Sequence, residues 1–342
     1  MPNETPHATV LGGGSWGTAL AWLLGGRGRG VRLWFRDAGQ ARRTAENRRN
    51  ERYLPEVVLP ETVTPTAELS ASVADAGLVV VAVPVGAVRE TLERVAGELR
   101  PGVPLLLAAK GMERDTGRRL TEVAEEVLGE ERARSVAVLS GPNLSGEVVR
   151  GMPTATVIAG PDPEVLRTLQ EAFSTPTFRV YTNPDVIGVE LGGALKNPIA
   201  IAAGISDGLG FGNNTKAGLL TRGLAEMTRL GVAAGGCAAT FSGLSGLGDL
   251  LATAYSPLSR NYRVGLALGQ GDTLSHVQES LHQVAEGVPT TAAACVLAAR
   301  LGVEIPIHQE LRRILYEGVP VREAVERLMS RPFRDEETAH PR

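Results

Sequence analysis

The chain has 342 residues, of which 43% are hydrophobic and 21% charged, with a formal net charge of -3. This composition is typical of a globular protein large enough for two domains, and it gives no electrostatic reason to expect nucleic acid or an anionic membrane as a partner. The N-terminal residues lack the pattern of a signal peptide, and no stretch of about 18 uncharged apolar residues occurs, so we expect a cytoplasmic protein without a membrane span.

A glycine-rich turn lies near the start of the chain, between a predicted strand at residues 8–11 and a predicted helix. Residues 12–17 read G-G-G-S-W-G. In this setting G-x-G-x-x-G predicts a dinucleotide-binding turn: Gly12 permits the turn, Gly14 lets backbone amides approach a pyrophosphate, and Gly17 lets helix and strand pack closely. A glycine-rich loop without a ligand is the alternative.

The next predicted strand, residues 31–35, ends where the ribose of a bound nucleotide is recognised. An acidic residue there would bind the 2′-hydroxyl of NAD, whereas Arg36 suits the 2′-phosphate of NADP. Asp37 follows and could still serve NAD, and Arg36 could stack on the adenine without discriminating. We therefore expect NADPH to be favoured over NADH, or both to be accepted.

Alternating strand and helix patterns continue to about residue 186. Strands are predicted at 78–83, 103–109, 135–139, 154–159 and 178–182, and helices at 42–52, 88–99 and 163–173. The continuous apolar runs are typical of parallel strands buried on both faces. The first part of the chain is therefore predicted to be an α/β domain of the Rossmann type.

Polar residues follow two of these strands. Lys110 comes directly after residues 103–109, and a polar turn containing Asn143 and Ser145 comes after residues 135–139. Ligands of open α/β sheets bind at the carboxyl ends of strands. These residues are therefore candidates for binding a hydroxylated substrate, although a solvent-exposed lysine at a strand end would give the same pattern.

The pattern changes near residue 186, after which helical periods and glycines dominate. We predict a dinucleotide-binding domain over residues 1–187, an all-α substrate domain over residues 188–335, and a charged tail over residues 336–342.

The run at residues 188–204 is apolar, rich in small residues and too long for a buried strand, so it is predicted to be a core helix. Lys196 lies within it, where loss of hydration would favour the neutral amine. The alternative is a lysine whose stem carries its ammonium to the surface. The chain has three lysines, at 110, 196 and 216, and otherwise uses arginine. Because arginine cannot release its proton, this bias favours a chemical role for Lys110 and Lys196, and more weakly for Lys216.

Two later segments are candidates for binding an anionic substrate. Residues 240–249 pack glycines around one carboxylate, Asp249, and residues 256–261 end in Ser259, Arg260 and Asn261. A hydroxyl, a guanidinium and an amide together suit a phosphate group. A helix N-terminus with a surface arginine is the alternative.

No metal site is predicted. The sequence has no H-E-x-x-H or C-x-x-C motif, and its histidines form no ligand pattern. Cys237 and Cys295 lie in alanine-rich surroundings and are interpreted as small core residues.

Several motifs occur together and in order between residues 12 and 287. They are GGGSWGTALA at 12–21, KG at 110–111, SGP at 140–142, ELGGALKN at 190–197, GISDGL at 204–209, TRGLAE at 221–226, residues 240–249 and SRN at 259–261. In these motifs the chain resembles the NAD(P)-dependent glycerol-3-phosphate dehydrogenase family in its bacterial biosynthetic form.

This resemblance implies a reversible NAD(P)H-dependent reduction of dihydroxyacetone phosphate to sn-glycerol 3-phosphate, which feeds glycerophospholipid synthesis. It also implies a Rossmann-type domain, an all-α domain and a homodimer. The residues at cofactor positions are Ser15, Trp16, Arg36, Lys110, Ser145, Arg260, Val284 and Glu286. The candidate substrate-binding residues are Lys110, Gly141, Asn143, Lys196, Asn197, Asp249, Thr253, Ser259, Arg260 and Asn261.

The implied chemistry makes Lys196 the general acid that protonates the carbonyl oxygen during reduction, and the general base in reverse. Lys110 and Asn197 would orient the substrate, and a second cation nearby would lower the pKa of Lys196. Asp249 would bind a substrate hydroxyl or hold Lys196 in place. Arg260 and Asn261 would bind the phosphate and so align the reacting carbon.

Two other classes of protein stay open. A hydroxyacyl-CoA or nucleotide-sugar dehydrogenase has the same layout, but would normally use a histidine or a cysteine at the reacting carbon. A redox-sensing module that binds NADPH without turnover would explain the glycine turn equally well. It would not explain why Lys110, Lys196 and the Arg260 loop coexist.

Overall fold

A computed structural model describes residues 6–280, 284–332 and 335. The chain forms two compact units, which we call the sheet unit and the helical unit. The sheet unit consists of the residues up to Ala109 with Leu120–Leu139 and Asn143–Val186, and the helical unit consists of Lys110–Arg119, Ser140–Pro142 and the residues from Ile187 onward. The division into domains at residues 187 and 188 stays a prediction, and the predicted tail at 336–342 lies outside the described residues.

The sheet unit is built on one sheet of eight strands within the described residues. The strands are β1 (Ala8–Leu11), β2 (Val31–Trp34), β3 (Val63–Thr66), β4 (Leu78–Val81), β5 (Leu105–Leu107), β6 (Val136–Ser140), β7 (Thr154–Ala159) and β8 (Phe178–Asn183). Their order is β3-β2-β1-β4-β5-β6-β7-β8. β1 pairs in parallel with both β2 and β4, so the order reverses on either side of β1. Such a reversal is where doubly wound folds bind dinucleotides, and the α/β prediction is confirmed.

Eight α-helices accompany these strands in the described part of the chain. They are α1 (Ser15–Gly26), α2 (Ala38–Asn47), α3 (Leu69–Val73), α4 (Val88–Val95), α5 (Leu120–Leu128), α6 (Glu130–Ala133), α7 (Ser145–Val148) and α8 (Pro163–Phe173). The predicted helix at residues 163–173 is confirmed: the Asp162 carboxylate accepts hydrogen bonds from the first free amides of α8, and proline occupies its first turn.

β3 is a strand that the sequence pattern did not predict. It has four residues, includes Pro65 and lies at the edge of the sheet, where it pairs with β2 alone. An edge strand tolerates proline because one of its sides needs no ladder hydrogen bonds.

The helix predicted at residues 42–52 was wrong at both ends, because α2 spans Ala38–Asn47. It begins early since the Asp37 carboxylate accepts a hydrogen bond from the Gln40 amide at 2.8 Å. It ends early since Arg48 has a left-handed backbone conformation, with φ of 52°.

The helical unit contains no strand in residues 187–280 or 284–332, which confirms the all-α prediction for the described part of this region. Its helices are α9 (Val186–Gly208), α10 (Asn213–Ala233), α11 (Ala238–Phe241), α12 (Asp249–Tyr255), α13 (Arg260–Gly269), α14 (Leu274–Ser280), α15 (Gly287–Leu301), α16 (Pro306–Glu317) and α17 (Val321–Met329). A π-helical turn at Leu244–Gly248 runs directly into α12.

α9 is the buried centre of the helical unit, and its small residues let α13 approach closely. A Cβ atom on Gly204 would lie 2.1 Å from the carbonyl oxygen of Tyr262, and one on Gly265 would lie 1.9 Å from that of Ile201. Among the described helices, only α9 is long and apolar enough to cross a membrane, judged by length and composition. However, 83% of its most apolar 18-residue stretch is buried inside the protein. Buried core helices have the same composition.

The two cysteines differ from the expectation that both are core residues. Cys295 is half-buried beside the core of the helical unit, whereas Cys237 is exposed. Cys237 lies in the short connection before α11, at a helix boundary that the alanine-rich composition did not reveal.

Candidate active site

The glycine turn of the sheet unit is compact at two of its motif glycines and open at the third. Gly12 has a φ of +121°, and a Cβ atom there would lie 2.7 Å from the carbonyl oxygen of Ala82. A Cβ atom on Gly17 would lie 1.9 Å from the carbonyl oxygen of Gly12. Gly14 has no heavy atom within 4 Å of the equivalent position, and α1 begins directly after it. An open helix N-terminus of this kind fits the pyrophosphate of a dinucleotide.

Two neighbours fix this turn, and neither contact was predicted from the sequence. The ring of Phe35 fills the space beside Gly13, where a Cβ atom would lie 2.0 Å from it. The buried side chain of Asn50 donates hydrogen bonds to the carbonyl oxygen of Gly13 at 2.9 Å and to the hydroxyl of Thr18 at 2.8 Å. Asn50 lies within the helix predicted at residues 42–52, and no signal in that segment marks it as buried.

The predicted ribose-binding residues follow β2. Arg36 is exposed there, while Asp37 caps α2. The hydrogen bond from the Gln40 amide is the main cause that lowers the pKa of Asp37. One carboxylate oxygen of Asp37 is thus engaged within the protein, whereas the exposed guanidinium of Arg36 is accessible to a nucleotide phosphate.

Asn143 and Ser145 lie at the start of the short helix α7. The side-chain amide of Asn143 donates a hydrogen bond to the hydroxyl of Thr156 at 3.2 Å, and Ser145 is the first residue of α7. Both belong to the sheet unit, and their assignment to substrate and cofactor stays a prediction.

The helical unit brings two of the three lysines onto one carboxylate. Nζ of Lys196 lies 2.9 Å from Oδ1 of Asp249, and Nζ of Lys110 lies 2.8 Å from Oδ2 of the same residue. Lys196 also donates a hydrogen bond to the hydroxyl of Thr253 at 2.5 Å, and Lys110 donates one to the carbonyl oxygen of Gly141 at 2.8 Å. We call Lys110, Lys196, Asp249 and Thr253 the lysine–aspartate cluster.

Backbone geometry places these side chains. Asp249 is the first residue of α12, and Thr253 lies one turn later on the same face, with its hydroxyl 3.2 Å from Oδ1 of Asp249. Gly141 has a φ of +125°, which favours glycine where its carbonyl oxygen accepts from Lys110. Gly193 lies one turn before Asn197 on α9, and a Cβ atom there would lie 2.2 Å from the hydroxyl of Ser140.

Burial and charge determine the protonation of the cluster. Burial lowers the pKa of Lys196 to about 8, Asp249 partly opposes this shift, and Lys110 adds to it. Burial also acts to raise the pKa of Asp249, but the two ammonium groups outweigh it and hold that pKa below its usual value. Lys196 can therefore gain and lose a proton near neutral pH, whereas Asp249 stays ionised.

A buried chain of amides supports the cluster. The side chain of Asn197 donates a hydrogen bond to the carbonyl oxygen of Lys110 at 3.0 Å and accepts one from Asn261 at 2.8 Å. The amide oxygen of Asn261 in turn accepts one from the backbone of Gly287 at 2.9 Å. Both asparagines thus hold neighbouring segments of the helical unit together as well as being candidate substrate ligands.

The predicted phosphate-binding residues lie at the first turn of α13. The hydroxyl of Ser259 caps this helix by accepting a hydrogen bond from the Tyr262 amide at 3.2 Å. Arg260 is exposed and donates to the carbonyl oxygen of Val284 at 2.7 Å, while Glu286 directly precedes α15. The exposed guanidinium beside a capped helix start is suited to an anionic group.

No group of three or more histidine, cysteine, aspartate or glutamate side chains in the described part of the chain has the arrangement of a metal site.

Two family models match nearly the whole chain. The N-terminal model of NAD-dependent glycerol-3-phosphate dehydrogenase matches residues 7–166, and the C-terminal model matches residues 185–326. The chain belongs to this family. Membership confirms the resemblance that the motifs indicated.

Individual relatives of the family match over almost their full length. A protein of Moorella thermoacetica named glycerol-3-phosphate dehydrogenase [NAD(P)+] is 52% identical over 94% of this chain and 95% of its own. A protein of the same name from Anaeromyxobacter dehalogenans is 50% identical over 96% of this chain and 99% of its own length. The crystal structure of the Coxiella burnetii glycerol-3-phosphate dehydrogenase superposes with a TM-score of 0.91 at 39% identity, covering 96% of this chain and 99% of that one.

Proposed function

We propose that this member of the glycerol-3-phosphate dehydrogenase family catalyses the reversible NAD(P)H-dependent reduction of dihydroxyacetone phosphate to sn-glycerol 3-phosphate, which feeds glycerophospholipid synthesis. The observation that carries the proposal is the buried ion pair of Lys196 with Asp249, together with Lys110 on the other oxygen of the carboxylate. The names of the relatives supply the substrate, and the cluster supplies groups suited to the chemistry.

Lys196 is the proton carrier in this proposal. As an ammonium it polarises the ketone oxygen and gives it a proton when the alkoxide forms, and as an amine it takes that proton back in the reverse direction. A pKa of about 8 suits both directions, because each form is then available near neutral pH. The Thr253 hydroxyl and Asp249 hold the ammonium so that it needs little reorganisation.

Lys110 and Asp249 set the charge around Lys196. Two ammonium groups share one carboxylate, so the fully protonated cluster has an excess of one positive charge. This excess favours the negative charge that develops on the ketone oxygen. Asn197 holds the backbone of Lys110, so it orients this second cation.

Ser259, Arg260 and Asn261 would bind the phosphate of the substrate. Arg260 supplies the exposed charge, and the start of α13 supplies the amides of a helix N-terminus. Binding the phosphate away from the reacting carbon aligns the ketone with Lys196 and reduces the entropy lost in the reaction.

The sheet unit would hold the dinucleotide. The open position at Gly14 and the start of α1 fit its pyrophosphate, and Arg36 favours the 2′-phosphate of NADPH over the hydroxyl of NADH. The chemistry that a bound nicotinamide supplies is transfer of a hydride to the carbonyl carbon. We further propose that Ser15, Trp16 and Ser145 contribute to this site, and that the enzyme is a cytoplasmic homodimer.

The test is oxidation of NADPH, followed at 340 nm, with dihydroxyacetone phosphate as substrate. A second assay replaces NADPH with NADH. A third assay replaces dihydroxyacetone phosphate with unphosphorylated dihydroxyacetone. Rapid oxidation only with the phosphorylated ketone supports the reaction and the phosphate site together. Nucleotide binding without any oxidation would contradict the proposal and favour a sensor module.

A further inference from the structure

Lys216, the third lysine, lies in a second buried cluster of the helical unit. It belongs to α10 and has 5% of its surface exposed. Its ammonium lies 2.7 Å from Oδ2 of Asp207, near the end of α9, and the hydroxyl of Tyr262 donates to the same oxygen at 2.8 Å. Burial first, and the Asp207 carboxylate next, raise the pKa of Tyr262, so this hydroxyl stays a donor.

The same ammonium contacts two aromatic rings. Its Nζ lies 4.3 Å from the ring centroid of Tyr255 and 5.0 Å from that of Tyr262. Both distances are within the range of cation–π attraction, which is stronger for a buried cation than for an exposed one. Lys216 is thus bound by a carboxylate and two rings at once.

The position of these two tyrosines in the chain gives the cluster its significance. Tyr255 is the last residue of α12, and Tyr262 lies in the first turn of α13. The loop between the two helices leads into the residues proposed to bind the substrate phosphate. One ammonium therefore contacts both ends of the segment that carries Ser259, Arg260 and Asn261.

α9 supplies the fixed support for this arrangement. Asp207 is on α9, the helix that carries Lys196, and the backbone of Tyr262 packs so closely on Gly204 that a Cβ atom would lie 2.1 Å from its carbonyl oxygen. Through their contacts with Tyr262, Asp207 and Gly204 therefore fix the position of the start of α13 against α9, the helix that carries the proton donor.

We propose that Lys216 is a positioning residue for recognition of the substrate phosphate: through Asp207, Tyr255 and Tyr262 it holds the segment 256–261 in place relative to α9. The proposal rests on the proposed function, since it assigns the phosphate to that segment. Lys216 itself does not contact the substrate. Its loss should weaken phosphate binding while the chemistry at Lys196 is retained.

The experiment compares Lys216→Gln with the unchanged enzyme on two substrates. We expect the KM for dihydroxyacetone phosphate to rise about ten- to hundredfold, because a displacement of about 1 Å in a positioning group has effects of this size. For unphosphorylated dihydroxyacetone kcat/KM should change less than about twofold, and the dissociation constant of NADPH should be unchanged. The preference for the phosphorylated ketone should therefore fall about tenfold or more.

Three variants show whether charge and ring contacts are the cause. Lys216→Arg keeps a cation that can stack on tyrosine, so it should restore most of the preference. Arg222→Gln removes a charge from an exposed position of the same helix and should leave the preference unchanged. Tyr262→Phe keeps the ring and loses only the hydrogen bond to Asp207, and should give a smaller effect in the same direction, which also provides a test if Lys216→Gln does not fold.

The outcomes separate this inference from the proposed function. Equal losses on both ketones, or an unchanged preference in both Lys216→Gln and Tyr262→Phe, would overturn the role of Lys216. Absence of oxidation of NADPH by dihydroxyacetone phosphate in the unchanged enzyme would overturn the proposed function instead. Calorimetric binding of sn-glycerol 3-phosphate to the same variants gives an independent readout, with the dissociation constant expected to rise in parallel with KM.

Discussion

Lys196 and Asp249 form an ion pair with their charged atoms 2.9 Å apart, and the two side chains have 7% and 3% of their surface exposed. A buried ammonium is strongly destabilised unless a carboxylate compensates it. Here the compensation is incomplete, because Lys110 shares the same carboxylate. The pair thus holds Lys196 in place and still leaves it able to release its proton.

Replacement of Lys196 tests its role directly. Lys196→Ala should lower kcat by about 10²- to 10⁴-fold, the range expected when a general acid is lost. Lys196→Arg should fail as well, because its guanidinium retains the charge but does not release a proton. Titration with NADPH, followed by fluorescence, checks that both variants still bind nucleotide with unchanged affinity. Near-normal turnover in either variant would refute the assignment.

The pH dependence of the two directions should be opposite. Reduction needs the ammonium of Lys196, so its kcat/KM should fall as pH rises through about 8, while oxidation of sn-glycerol 3-phosphate needs the amine and should fall as pH drops through the same value. The pH profiles measured with nucleotide saturating check this. If kcat/KM changed in the same direction with pH for reduction and for oxidation, another group would carry the proton.

Asp249→Asn should shift these profiles. Asp249 raises the pKa of Lys196 and Lys110 lowers it, so removing the carboxylate should move the limb for reduction to lower pH. Asp115→Asn is the control, since Asp115 is exposed outside the cluster. An unshifted limb with reduced kcat would mean that Asp249 acts on the substrate rather than on Lys196.

Arg36 should determine the choice of cofactor. Arg36→Gln removes a charge-assisted contact to the 2′-phosphate, and such contacts contribute about 1.5–3 kcal/mol. We expect kcat/KM for NADPH to fall roughly ten- to hundredfold and that for NADH to change little. Parallel losses with both cofactors would indicate that Arg36 stacks on the adenine instead.

Two glycine substitutions in the helical unit should have opposite effects on the free energy of unfolding, because only one of the glycines lies where α13 approaches α9. Gly204→Ala would bring a Cβ atom to 2.1 Å from the carbonyl oxygen of Tyr262, and we expect a loss of about 1–3 kcal/mol in the free energy of unfolding. Gly218→Ala, in α10, meets no atom within 4 Å and should raise stability by about 0.5–1 kcal/mol. Urea titrations measure both values, and equal effects would contradict the packing account.

Local patterns in the sequence were sufficient for some of the elements and for the apolar surroundings of Lys196. The strand at residues 154–159 and the helix at 163–173 have the bounds that the pattern predicts, because β-branched runs and a proline with a capping aspartate are local signals. The apolar run around Lys196 predicted a core helix because it is too long for a strand, but it left open whether the ammonium is buried or reaches the surface; the structure shows that it is buried. The edge strand β3 was not predictable, because its proline interrupts a pattern that is only four residues long.

The sequence by itself determined that a Rossmann-type region precedes a helical one, and that Lys196 occupies apolar surroundings suited to proton transfer. Only the tertiary structure decided that Asp249 is shared between Lys110 and Lys196, that Asn50 holds the glycine turn, and that Lys216 binds both ends of one loop. The physical reason is distance along the chain. Periodicity and capping act over a few neighbouring residues. The contact of Asn50 with the glycine turn joins residues 37 positions apart, that of Lys110 with Asp249 joins residues 139 positions apart, and Lys216 joins three helices at once. No local pattern encodes such contacts.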